Sequence, residues 1–232
     1  AIEVGESDHG RLMNDQNTIG LNYKHIWSKR GYTNTSISNS TKNSDAHFTN
    51  INSGQTVFNI IEQTDVKNLR QVNHLKLGNG SKIEFGFDAD MSETDYNYYR
   101  KLPESNTSIN EIQFDKLVSI KNYSGFFTFK QSLFSRSIFS TGIRLDRNDY
   151  EKINHLSPRI NFDYEIIRGK TNLIINSGIY YQNPPAIYIA NNTSKKLKSI
   201  KAYQTSLSIE HMLTPSTKLT LSAYQKTYSN SP

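Results

Sequence analysis

Ile160-Asn161-Phe162-Asp163-Tyr164-Glu165-Ile166 carries an apolar side chain at every even position and a polar one at every odd position. Successive side chains of a β-strand point to opposite faces, so this run reads as a strand with one greasy and one wet face. The alternation recurs in Ile83-Glu84-Phe85-Gly86-Phe87-Asp88-Ala89-Asp90-Met91, which puts Glu84, Asp88 and Asp90 on one face. It returns in Phe139-Ser140-Thr141-Gly142-Ile143-Arg144-Leu145-Asp146, and in residues 19–27 with one slip near Ile26. Leu173, Ile175 and Ile179, then Leu207 and Ile209, then Leu219, Leu221 and Ala223 continue it. No window sustains a period of 3.6, so the chain reads as all-β with about ten long strands.

Turn signals punctuate these runs. Short polar stretches at 28–31, 78–81, 134–137, 168–171 and 214–217 each join two alternating runs as a tight hairpin does. Between them lie stretches rich in Asn, Ser, Asp and Pro, at about 44–57, 100–110, 148–156 and 184–198, read as longer loops. Connections therefore alternate short and long.

Composition narrows the class. The chain has 232 residues, only 35% of them hydrophobic, with 27 Ser, 25 Asn and 18 Thr. Soluble domains usually carry about 45–50% apolar residues, so a globule of this size would be short of core. Disorder fits poorly, since aromatics make up 11% and disordered chains lack them. An antiparallel up-and-down transmembrane β-barrel segment fits the alternation, the loop asymmetry and the low apolar content together. In such a barrel short periplasmic turns alternate with longer extracellular loops, and lipid rather than a protein core covers the apolar face. Aromatics near run ends, Trp27, Tyr98, Tyr99, Tyr180, Tyr181, Tyr188, Tyr224 and Tyr228, are expected in interfacial girdles.

From about Leu156 onward the chain resembles the barrel of TonB-dependent outer-membrane receptors. The resemblance rests on Leu156-Ser157-Pro158-Arg159-Ile160, on Ser177-Gly178-Ile179-Tyr180-Tyr181-Gln182-Asn183-Pro184-Pro185, on Leu197-Lys198 and Glu210, and on Tyr224-Gln225-Lys226-Thr227-Tyr228, in the family's order. The hairpin from Phe127 to Asp146 with its Gly142-Ile143-Arg144 element is also similar. The first half of the chain matches by pattern only. The resemblance implies a barrel of about 22 strands around a plug, so residues 1–232 are expected to form one partial barrel domain without the plug. It also implies active uptake of a scarce, bulky nutrient such as a ferric siderophore, a corrinoid or a glycan, at the outer membrane of a Gram-negative bacterium. Implied partners are the protein's own plug domain, the TonB energy-transducing complex, outer-membrane lipid, and an extracellular small-molecule or oligosaccharide ligand.

The candidate lumen-facing residues are Glu84, Asp88, Asp90, Arg144, Asp146, Arg159 and Asp163, with Lys82 and Glu165 on the same presumed face. Each is expected either to pair within a hydrated wall or to contact plug and ligand, because a desolvated charge needs a partner. Tyr188, Asn191, Asn192, Lys195 and Lys196 are the candidate ligand contacts of the long loop opened by Pro184-Pro185. The acidic set Asp88, Asp90, Glu93 and Asp95 has oxygen ligands for a hard cation but no Gly-turned loop, which favours a solvated strand end.

Other chemistries find little support. With no cysteine there is no thiolate site or disulfide, and no stretch of 18 apolar residues suggests a transmembrane helix. The six histidines are scattered, and no Gly-x-Ser-x-Gly elbow or phosphate-cradling loop occurs. No cofactor is expected, nor catalysis. The net charge of +6 is spread without a basic stripe, so nucleic acid is not an expected partner. The rivals are a surface adhesin or glycan-binding β-protein, and a barrel hydrolase built from Ser and His on separate strands.

Overall fold

A computed structural model describes residues 8–102, 110–191 and 197–230. Ten strands form one antiparallel sheet in strict sequence order, each bonded to the next. They are β1 (Asp8–Ser28), β2 (Gly31–Asn50), β3 (Thr56–Lys76), β4 (Lys82–Lys101), β5 (Glu111–Leu133), β6 (Ser137–Asn148), β7 (Asn154–Ile167), β8 (Thr171–Gln182), β9 (Ile200–Thr214) and β10 (Thr217–Ser229). Among the described residues the sheet is open: β1 and β10 lack an outer neighbour, and both are exposed along nearly their whole length. This is the single-layer, long-stranded partial barrel that the alternation predicts.

All five short turns lie at one end of the sheet, as read from the sequence. The slip near Ile26 is a register shift between Ile26 and Ser28. Beside it the Trp27 ring lies over Gly31, where a Cβ would come within 2.1 Å of the ring, and its Nε1 donates to Thr33 Oγ1 at 3.1 Å. Only a glycine leaves room for that ring at the hairpin.

Two of the expected long loops are much shorter. β2 runs to Asn50 and β3 starts at Thr56, so the loop is 51–55; β6 and β7 leave only 149–153. Asn- and Ser-rich sequence there is strand, its side chains pairing across the sheet, as in Ser44 Oγ to Asn14 Oδ1 at 2.7 Å and Asn43 Nδ2 to Asp15 Oδ1 at 3.1 Å. The chain is also not purely strand. A short helix, α1 (Ala186–Asn191), follows Pro184-Pro185, with the Pro185 carbonyl accepting from the Tyr188 and Ile189 amides.

The loop after β8 folds across one face of the sheet and so marks the concave side. Asn183 Nδ2 donates to Asn122 Oδ1 on β5 at 2.8 Å, although three strand spacings, about 14 Å along a flat sheet, separate β8 from β5. Register carries that inner face through the sheet as the even positions of β1 to β6 and β8 to β10 and the odd positions of β7, except that past Gly178, where β8 leaves β7, the Tyr181 ring turns onto inner-face His155.

Polarity on the two faces depends on height. In the half nearest the short turns the outer face is apolar, with Phe85, Phe87, Phe127, Ile143, Leu145, Ile160, Ile175, Leu207 and Leu221 all exposed. Among the described residues nothing covers them, as lipid-facing residues require. In the far half of β2 to β5 the faces exchange character. There the outer positions include Asp45, Asp65, Asp95 and Asp115, while Ala46, Phe58, Ile60, Tyr96, Val118 and Ile120 pack inward with Ala190 of α1. Each of the larger side chains among them, Phe58, Ile60, Val118 and Ile120, contributes roughly 1.5–3 kcal/mol on burial.

Aromatic positions sort accordingly. Trp27 takes the expected place beside a short turn. Tyr98 instead stacks on Phe114 in the inner cluster, with ring centroids 4.8 Å apart, Tyr180 lies under Arg159, and Tyr224 and Tyr228 fall on the inner face of β10. The outward tyrosines of the apolar half are others, such as Tyr123, Tyr164 and Tyr203.

Candidate functional site

Glu84, Asp88, Asp90, Arg144, Asp146, Arg159 and Asp163 all fall on the inner face, because the register pairs each with an inner neighbour. Four of them meet. Asp88 and Asp146 lie opposite Ser124 from its two sides, and the Arg144 guanidinium spans all three. Its Nη1 reaches Asp88 Oδ2 at 2.8 Å, Nε reaches Asp146 Oδ1 at 2.7 Å, and Nη2 donates to Ser124 Oγ at 2.5 Å. Asp90 accepts from Asn122 Nδ2 at 3.4 Å. Arg70 Nη1 approaches Asp88 Oδ1 at 3.2 Å, yet that buried oxygen accepts no hydrogen bond, so Arg70 acts on it by charge alone. These groups, with Arg147, line an inner-face cleft of about 320 Å³ holding three arginines and three aspartates. The fixed fork of Arg144 is already used by protein acceptors; Asn122, Asn148 and Asn183 are engaged as well, in a chain that ends on Asp90, but these bonds lack the fork's paired charges and exchange for a ligand more readily.

The remaining three stand apart. Arg159 sits between Gly142 and Gly178 across its two neighbouring strands, with its guanidinium 4.7 Å from the Tyr180 ring centre. A Cβ at Gly178 would press on Arg159 Cγ and the Tyr180 ring, both at 3.2 Å. Glu84 pairs with His74 Nδ1 at 3.2 Å. Asp163 lies between Ile138 and Ile174.

Of the loop candidates, Tyr188 lies on α1 and is 54% exposed, and Asn191 ends α1 and is exposed. Asn192, Lys195 and Lys196 lie outside the described residues. The acidic set divides: Asp88 and Asp90 face inward, Glu93 and Asp95 outward. Among the described residues no group of three metal-ligating side chains converges.

A second cluster, which the sequence reading did not find, holds the long loop down beside the cleft. Glu151 is 4% exposed and Ser199 1%. Both the amide and the hydroxyl of Ser199 donate to the Glu151 carboxylate, and His155 Nε2 lies 2.7 Å from Glu151 Oε2. Asn148 Oδ1 accepts the Glu151 amide at 2.6 Å while its Nδ2 donates to Asn183 Oδ1 at 3.0 Å. The His155 ring stacks on Tyr181 at 4.4 Å. Burial pushes the Glu151 carboxyl up, but the donors from Ser199 and His155 outweigh it and hold the group below the usual carboxylate range. The arrangement is a clasp. Glu151 stands between Ser199 and His155, so the histidine does not touch the hydroxyl as nucleophilic activation requires.

An open, lipid-suited sheet with a charged inner wall and a loop folded over its mouth is what a family comparison then identifies. The family of TonB dependent receptor-like beta-barrels matches residues 3–231. The chain belongs to that family. No match was found among curated protein sequences. Solved structures share the fold at low identity. The "Copper transporter OprC" is 15% identical with a TM-score of 0.70, over 92% of this chain and 38% of that one. BauA, the ferric preacinetobactin receptor from Acinetobacter baumannii, is 13% identical with a TM-score of 0.64, over 94% and 38%. The ferric citrate transporter FecA is 12% identical with a TM-score of 0.57, over 87% and 33%. The chain spans roughly a third to two-fifths of these structures. As a TonB-dependent receptor barrel it is placed in the Gram-negative outer membrane, and the family and its structural neighbours are receptors and transporters rather than enzymes.

Proposed function

We propose that this chain forms one wall and part of the ligand-receiving mouth of a TonB-dependent importer of a scarce, bulky nutrient. The ten strands act as a segment of a larger closed barrel, since the unpaired edges of β1 and β10 would otherwise stay open to aberrant pairing. The single observation that carries the reading is the exchange of faces along β3 to β5. Near the short turns apolar residues point outward to lipid, whereas beyond them an aromatic inner wall under α1 leads down to the Arg144 cleft.

In this reading the ligand enters past α1, meets Tyr188 and Asn191, and reaches the amides and Asp90 of the cleft. A plug within the lumen would then be displaced by the TonB complex. The test is growth of a deletion strain on single iron, corrinoid or glycan sources, with the gene restored in wild-type form or as Asp90→Asn with Asn122→Ala. Loss of growth on one source, restored by wild type and not by the double variant, supports the reading; unimpaired growth of the deletion strain on every source overturns it.

A further inference from the structure

The inner face handles its charges in two different ways. At mid-height Arg70 and Arg144 each meet an aspartate. At the short-turn end the register lines up Lys76, Lys82 and Lys130 directly opposite one another on β3, β4 and β5. Directly opposed like charges destabilise a sheet, and here three stand in one row on one face. Arg30 joins them around a cavity of about 270 Å³ lined by Lys76, Lys82, Lys130, His74 and Glu84.

The nearest compensating group is already engaged: Glu84 pairs with His74, which stacks on Tyr32 at 4.5 Å. Lys24 in turn lies over that Tyr32 ring at 4.3 Å, adding another cation to the same end. Among the described residues Arg30, Lys76, Lys82 and Lys130 form no ion pair with a carboxylate. Along the same row, further round the sheet, the neighbours are Ser140, Asn161 and Asn176, joined by neutral hydrogen bonds such as Asn161 to Asn176. The positive row is thus confined to β3 to β5 and its flanking turn.

We infer that the Lys76–Lys82–Lys130 row is a docking surface for an acidic polypeptide segment that occupies the periplasmic mouth of the lumen. This rests on the barrel reading above, which makes the inner face a lumen wall. Three lysines whose backbones lie about 5 Å apart on neighbouring strands present ammonium groups within reach of side-chain carboxylates borne by an extended segment lying across the strands. Each ammonium offers donors and no acceptor, so a carboxylate relieves the mutual repulsion and satisfies the donors at once.

The test uses the full-length receptor in isolated outer membranes. Zero-length carbodiimide coupling joins a lysine amine only to a carboxylate in contact with it, and mass spectrometry of the digest reads the partner. The expected result is an amide link from at least one of Lys76, Lys82 and Lys130 to an Asp or Glu of a lumenal segment, lost in Lys76→Arg/Lys82→Arg/Lys130→Arg. In parallel, Lys82→Gln is followed by heat-modifiability on gels: with an acidic segment docked, the transition falls by a few degrees, because an ion pair is lost. If the three lysines link to no carboxylate and Lys82→Gln raises the transition, the row is simply repulsive and the inference fails. The barrel reading is judged separately, by whether the wild-type band is heat-modifiable at all.

Discussion

Strands β1 to β5 are 20–23 residues long, whereas β6 to β10 are 12–15. At about 3.3 Å per residue and a tilt near 45°, the longer set climbs roughly 50 Å and the shorter set roughly 30 Å, against an apolar band of about 25 Å. The short half therefore ends near the outer surface of the membrane, and the long half continues well above it. The difference decides how each half organises its extracellular end. The long half builds an apolar inner wall of its own, with water on its outer side. The short half has no such wall, and the loop between β8 and β9 crosses over to use the wall of the other. Its apolar end, α1, packs on β4 and β5, while its polar ends are tied by Asn183 and Ser199 to Asn148 and Glu151.

The sharpest way to break this comparison is to remove apolar volume from each half. Phe58, 8% exposed in the inner wall, leaves a cavity when shortened, and Phe58→Ala is expected to cost about 3–5 kcal/mol in urea unfolding from vesicles. Leu207→Ala, on the outer face of β9 and 45% exposed, leaves a space that lipid fills, and about 1 kcal/mol or less is expected. Equal losses would contradict the assignment of the two surfaces.

Charge placement tests the same boundary along one strand. Phe87→Arg, in the lower outer face of β4, is expected to cost about 2–4 kcal/mol. Asp95→Arg, on that same face but above the change in polarity, should shift stability by less than about 0.5 kcal/mol. Reversed magnitudes in the same folding assay would move the waterline.

The clasp gives a pH dependence that belongs to the short half alone. Glu151 is held below its usual range, so its contribution is fully present above the unfolded carboxylate range and is lost as pH falls through the depressed folded value. Limited proteolysis of the loop between β8 and β9 should accordingly stay slow from neutral pH through the ordinary carboxylate range and speed up only below it. Glu151→Gln should give fast cleavage with little pH dependence, leaving the bonded strands protected.

A further small effect is expected at Gly178. Gly178→Ala should displace Arg159 from Tyr180 at a cost of about 1 kcal/mol, and a tyrosine fluorescence change without loss of heat-modifiability would record it.

Much of this was legible in the sequence for a simple reason. Alternation with period two leaves one face per strand, and hairpin turns fix neighbours, so the inner positions of Glu84, Asp88, Asp90, Arg144, Asp146, Arg159 and Asp163 follow from parity. What parity does not give is which charges meet. Arg144 reaches Asp88, 56 positions away, only because β5 intervenes with the small Ser124. The clasp was hidden for the same reason: His155 looked solitary, although Asn148-Asp149-Tyr150-Glu151 carries the local signal of a side-chain-capped turn whose amide bond runs from Glu151 to Asn148. Loops were overestimated at 44–57 because Asn and Ser serve there as cross-strand hydrogen-bonding pairs, and at 148–156 because Asn148 closes a tight turn and Asn154 already pairs with Arg147.

β5 holds a further consequence. Apart from Leu117 and Phe126, its aromatic and aliphatic residues between 114 and 129 occupy even positions at Phe114, Val118 and Ile120, then odd positions at Tyr123, Phe127 and Phe129. A uniform strand that slips by one residue merely swaps its faces, and a barrel surrounded by lipid could trap it in that state. Here a slip would send charged Asp115 inward above the membrane and lumenal Ser124 outward within it, so two different solvents reject the same error. The change of phase works as a ruler, written into the chain, that fixes how deep the strand sits.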